Sequence, residues 1–262
     1  MNYLSYFTTA LFVLSVSACE GEPAPETTPQ ATTAVKTELK KQAPSENPLY
    51  ALRPIDDNWP HDVDEKSLSE NLLTTNYYIV LDWSGSMDGM QCAEGSTKMA
   101  VAKTAVTQFA KKIPADANLA LYAFDGKATS ERVNLTMGNR DAFFEQINRI
   151  ETGGGTPLAT AIRYGYQQLT QQAAKQLGYG EYHLVVVTDG IASTAEKPQE
   201  ILSTLHQQSP VVVHSIGFCL DEQHSLNQPG LTVYTAASNA EELQRGLQAV
   251  LAESVDFSPD SF

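Results

Sequence analysis

Residues 77–89 read YYIVLDWSGSMDG, five apolar or aromatic residues running straight into an aspartate, two serines and two glycines. A short run of this composition reads as a buried strand. A strand buried on both faces has no use for oxygen atoms except where it leaves the sheet. Three similar runs follow, LALYAF at 119–124, HLVVVT at 183–188 and VVVHSIGF at 211–218. Helical patterns lie between them. Met99, Ala102, Ala105, Val106, Phe109, Ala110 and Ile113 recur at spacings of three and four over 97–113. Phe143, Phe144 and Ile147 mark a second helix over 139–150, and a third begins near Pro157 and carries Leu158, Ile162 and Leu169. Pro157 suits a first turn, where the missing N–H costs little. A last helix over 239–252 has Leu243, Leu247, Val250 and Leu251 on one side and Glu241 and Glu242 at its start. This alternation predicts an α/β fold, a doubly wound, mostly parallel sheet flanked by helices.

In such sheets, sites form at the carboxyl ends of the strands, which is where Asp82 stands. Asp82, Ser84 and Ser86 alternate, so in extended geometry their side chains point the same way, and Gly85 permits a tight turn between the serines. ETGGGTPLATAI, 151–162, leads three glycines to Thr156 just before a helix, and VVVTDG, 185–190, ends another strand in Asp189. These five side chains offer oxygen only. Oxygen donors select hard cations such as Mg2+, Mn2+ or Ca2+, whereas zinc recruits Cys or His. The bland alternative is that Ser and Asp cap the next helix and the glycines make a plain loop.

Asp82, Ser84, Ser86, Thr156 and Asp189 together resemble the metal-ion-dependent adhesion site of the von Willebrand factor type A family, Asp-x-Ser-x-Ser followed by a Thr and an Asp. The resemblance covers about 77–252. It implies a Rossmann-like fold in which Ser84, Ser86 and Thr156 coordinate a divalent cation, Mg2+ foremost. It also implies that Asp82 and Asp189 act largely through bound water. The last coordination position is then left for a partner's Asp or Glu, which is the chemistry of adhesion and not of turnover. A haloacid dehalogenase-type phosphatase is the remote rival, but its Asp-x-Asp is not matched, since Ser84 stands at the second position. A metal-independent scaffold or assembly module of an envelope complex is the nearer alternative.

The rest of the chain points to the cell envelope. Residues 3–19, YLSYFTTALFVLSVSAC, form an apolar run closed by small residues and a cysteine, shorter than the roughly 20 residues a membrane span needs. Val16, Ser17, Ala18 and Cys19 resemble a bacterial lipobox, which implies cleavage before Cys19, lipidation of its thiol and anchoring to a membrane. Glu20 in place of Asp implies the outer membrane. No Lys or Arg precedes the run, and an uncleaved anchor is the alternative. Residues 20–48, rich in Pro, Thr, Ala and Glu, predict a disordered tether. Residues 49–76 predict a partly ordered lead-in, with Trp59 and Leu72 as docking points, and 253–262 a tail. The net charge of -14 disfavours nucleic acid and favours cations or basic groups.

Two cysteines remain. Cys92 lies in the loop 87–98 after Ser86, and Cys219 follows the strand at 211–218, placing both on one rim of the sheet. In an exported protein such a pair is expected to form a disulfide. His61, His183, His206, His214 and His224 show no His-Glu-x-x-His spacing, and His183 and His214 are expected to be packed imidazoles. No nucleophile elbow or phosphate loop is present, so no catalytic residue is assigned. Trp83 suits either a contact at the rim or packing beneath the loop.

Overall fold

The structure, a computed structural model, describes residues 59–60, 67–124 and 129–255. Cys19, His61, the tether and most of the lead-in lie outside the described residues. Six strands form one sheet: β1 (Asn76–Asp82), β2 (Asn118–Phe124), β3 (Thr129–Thr136), β4 (Tyr182–Thr188), β5 (Val212–Phe218) and β6 (Val233–Ala237), in the order β3-β2-β1-β4-β5-β6. All neighbours are parallel except β2 and β3. The helices are α1 (Lys98–Lys112), α2 (Arg140–Asn148), α3 (Leu158–Lys175), α4 (Pro198–Gln208) and α5 (Ala240–Val255). No helix among the described residues is long and apolar enough to cross a membrane.

The pleat of β1 sorts the two cores. Tyr77, Ile79 and Leu81 face one side, where α1, α2 and α5 supply Met99, Phe109, Phe143 and Leu247. Tyr78 and Val80 face the other, against Leu158, Ile162 and Leu169 of α3 and Leu202 and Leu205 of α4. Two buried faces explain why β1, β2 and β4 are continuous apolar runs and not alternating ones. Gly165 sets the distance of α3 from the sheet, since a Cβ there would meet Leu184 Cδ1 at 2.6 Å and Tyr78 Cδ1 at 2.8 Å. Any larger residue pushes the helix away.

Helix boundaries follow local chemistry. Thr97 caps α1 by accepting from the Ala100 N–H at 3.1 Å. Asn139 precedes α2, and Pro157 stands at the cap of α3, one place before its first helical residue. At α5, Asn239 accepts from the Glu242 N–H while Glu242 accepts from the Ser238 N–H, a reciprocal closure, and the helix continues to Val255. Trp59 stacks on Tyr166 and meets Tyr182 edge-on with centroids 5.3 Å apart, while half-buried Leu72 contributes its carbonyl to Gln176.

His183 and His214 are packed side by side on neighbouring strands, with Nδ1 of the first 3.1 Å from Nε2 of the second and Tyr77 stacked on His183. One nitrogen must donate and the other accept, so the pair cannot carry two charges in this arrangement. Burial, then the neighbouring His183, pushes His214 down from 6.5 to about 3. The unfolded chain therefore takes a proton that the native state refuses. The stability from this group is complete above pH 6.5 and is lost as pH falls towards 3, by roughly 2 kcal/mol at pH 5. Urea unfolding of wild type and His214→Gln at pH 7 and 5 should show the difference shifting by about that amount in the variant's favour. An unchanged difference would refute the assignment.

Candidate functional site

β1 lies where the chain first turns one way to β2 and later returns on the other side as β4, so the ends of β1 and β4 flank a topological switch point. Asp82 ends β1 and is fully buried. Its Oδ1 accepts from the Ser84 N–H at 2.8 Å and its Oδ2 from the Thr188 hydroxyl at 2.5 Å. Burial raises its carboxyl from 3.8 to about 6, against the opposing pull of the bonds from Thr188 and Ser84.

A single 3-10 turn, Gly85–Asp88, follows the strand. Ser84 occupies its cap position without making a side-chain cap bond. Its Oγ instead stands 3.0 Å from Ser86 Oγ, and Ser86 donates to Asp189 Oδ1 at 2.7 Å. Capping therefore does not explain Ser84. The glycine-rich loop is laced to this turn through Gly153 N–H to Trp83 O, Gly85 N–H to Gly154 O, and the Thr152 hydroxyl to Asp88. Thr156 is held in turn by Ser193, which accepts from the Thr156 N–H and donates its own N–H to the Thr156 carbonyl, both at 3.0 Å.

Gly190 shows how closely these groups converge. A Cβ built there would stand 3.2 Å from Thr156 Oγ1, 3.6 Å from Ser86 Oγ and 3.7 Å from Asp82 Oδ2. Oxygens from two separate segments, the end of β1 with its following turn and the glycine-rich loop, thus surround one point that glycine leaves open. Among the described residues no three of His, Cys, Asp and Glu gather into a metal-binding group, so a cation at this point would rest on hydroxyls with two carboxylates behind them. That donor set fits a hard cation and does not fit zinc.

Sequence reasoning missed four supporting residues. Thr188 secures Asp82, and Ser193 secures Thr156. His224 lies in the loop after β5, where its Nδ1 accepts from the Leu226 N–H at 3.2 Å, leaving Nε2–H to donate to the Gly190 carbonyl at 2.9 Å. Lys98, at the start of α1, places its ammonium 2.8 Å from Asp189 Oδ2. Their partners are distant in sequence, and only Thr188, adjacent to Asp189, carried a local signal. Trp83 is buried under the guanidinium of Arg132, 4.8 Å above its ring, which makes it a packing residue and not a rim contact. Cys92 and Cys219 come together with Cα atoms 5.8 Å apart and their sulfurs bonded, tying the loop that follows Ser86 to the end of β5.

The sequence profile of the von Willebrand factor type A (VWA) domain matches residues 76–245. The chain belongs to this family. The chain resembles the uncharacterised protein sll0103 of Synechocystis at 29% identity over 147 residues, 56% of this chain and 32% of the relative. The chain thus spans about a third of that relative's length. It also resembles uncharacterised YwmC of Bacillus subtilis, 28% identical over 167 residues and covering 59% and 70% of the two chains. Among solved structures, BatB from Bacteroides thetaiotaomicron superposes with TM-score 0.56 at 14% identity, covering 69% of this chain and 98% of that one. The pilus adhesin SpaC from Lactobacillus rhamnosus GG gives 0.57 at 16% identity, covering 71% and 31%. A VWA protein from Catenulispora acidiphila gives 0.56 at 18%, covering 70% and 43%. At these identities the structural likenesses speak for the fold.

Proposed function

We propose that this is a lipid-anchored protein of the bacterial envelope, attached through Cys19 to the outer membrane, whose VWA domain binds a protein partner through a divalent cation. Ser84, Ser86 and Thr156 hold the cation, Mg2+ by preference, and Asp82 and Asp189 act through water. The convergence of Thr156 Oγ1, Ser86 Oγ and Asp82 Oδ2 about Gly190 carries this reading. Three neutral hydroxyls leave a cation electrophilic, and its role is to accept an Asp or Glu side chain from the partner. A chain with net charge -14 otherwise repels such a ligand, so a local positive centre is needed.

Two exposed apolar residues, Met90 in the loop after the 3-10 turn and Ile191 just after Asp189 and Gly190, add surface that a protein partner would cover. The resemblance to an adhesin fold is in keeping with a binding role. Titration of the purified chain with Mg2+, Mn2+ and Ca2+ should give saturable heat that Ser84→Ala removes. Capture of envelope proteins by the wild type should require Mg2+ and fail in EDTA. Capture unaffected by both EDTA and Ser84→Ala would favour the metal-independent scaffold.

A further inference from the structure

Lys98 supplies a positive charge to the site before any metal arrives. Its ammonium lies 2.8 Å from Asp189 Oδ2, and the two side chains are 10% and 0% exposed. The other oxygen of Asp189 accepts from Ser86, so the carboxylate has Lys98 on one oxygen and the serine pair on the other. The lysine is anchored at its backbone beside the loop that follows Ser86. Its N–H donates to the Gly89 carbonyl at 2.8 Å, and its Cε stands 3.6 Å from where a Gly89 Cβ would be. The loop carrying Gly89 is itself stapled by Cys92 to Cys219.

We propose that Lys98 is a built-in counter-ion that opposes the divalent cation at Asp189, so that the domain alone holds metal weakly and a partner's carboxylate completes the binding. The inference rests on the metal-dependent reading above. A cation entering beside Asp189 either shares the carboxylate with the ammonium or displaces it. Sharing brings like charges together where water is scarce, and displacement breaks a buried ion pair. Both routes weaken metal binding. With Lys98 cancelling Asp189, only Asp82 offsets the two charges of the cation among these residues, and the loaded site keeps a positive excess. An arriving carboxylate neutralises that excess. The site therefore favours metal and ligand together over metal alone, a positive coupling between the two.

The test is Mn2+ binding by the purified chain, followed by calorimetry and by the electron paramagnetic resonance of free Mn2+. Lys98→Gln keeps an N–H donor for Asp189 and removes the charge, and Lys98→Arg keeps the charge. Lys98→Gln should bind Mn2+ on the order of ten-fold more tightly than wild type, with Lys98→Arg close to wild type. A melting curve in EDTA establishes that each variant is folded. Equal or weaker Mn2+ binding by folded Lys98→Gln, with wild type still binding, overturns the counter-ion role alone. Absence of Mn2+ binding in wild type and both variants overturns the metal-dependent reading as well.

Discussion

Replacing Asp82 by asparagine should stabilise the protein in EDTA at pH 7 by roughly 3 kcal/mol, while abolishing all stabilisation by divalent cations. Burial raises the Asp82 carboxyl from 3.8 to about 6, so between these values the native state holds a proton that the unfolded chain has lost. The group's contribution is therefore most favourable below about pH 4 and declines as pH rises through 6, reaching its full cost above that. An aspartate normally gains from folding at neutral pH, and this one loses. Asparagine fits the same bonds, because its carbonyl can accept from the Ser84 N–H and Thr188 can turn its hydroxyl towards the Gly190 carbonyl, 3.3 Å away. Urea unfolding at pH 4 and 7 measures the effect, with the two proteins converging at the lower pH. In saturating Mg2+ or Mn2+ the order should invert, as only wild type gains from a ligand bound to the native state. A variant less stable than wild type in EDTA at pH 7 would show that the bonds to Asp82 outweigh its desolvation.

Loss of the bond between Cys92 and Cys219 should be of similar size. The cysteines are 127 positions apart, and releasing a closed loop of that length costs about 5 kcal/mol. For a domain of this size that corresponds to a fall in Tm of about 13 °C. The Cys92→Ser, Cys219→Ser double variant should also bind the cation more tightly, because the loop it frees helps to hold Lys98 against Asp189 through the bond from the Lys98 N–H to the Gly89 carbonyl. Thermal unfolding by circular dichroism, beside cation titration of the folded variant, measures both effects. A drop below about 1 kcal/mol would mean that the unfolded chain gains little freedom from the cut.

Much of the fold was legible in the sequence for a simple reason. β1, β2, β4 and β5 lie inside the sheet, and burial on both faces turns each into a dense apolar run. The edge strands gave no such signal. β3, TSERVNLT, pairs only with β2 and mixes charged and polar residues with Val133 and Leu135, and β6 is five residues long and half exposed. α4 carries helical spacing in Ile201, Leu202 and Leu205, but three apolar positions among eleven residues that include three Gln are too few to mark a helix by periodicity. The five oxygen-bearing residues could be picked out because each stands at or just after a strand or before a helix. Lys98 could not, because it is an ordinary cation at a helix start until β4 brings Asp189 beside it across 91 positions.

The same separation bears on the order of events during folding. Asp82 meets Thr188 across 106 positions and Ser86 meets Asp189 across 103, and neither meeting can occur until β1 and β4 have paired in register. Parallel pairing between strands so far apart is slow, because chain closure precedes any reward from contact. No fragment that stops short of β4 contains these oxygens in one place. A newly made chain can therefore take no cation at this point while its central sheet is incomplete, and occupancy of the site would certify that the sheet has closed.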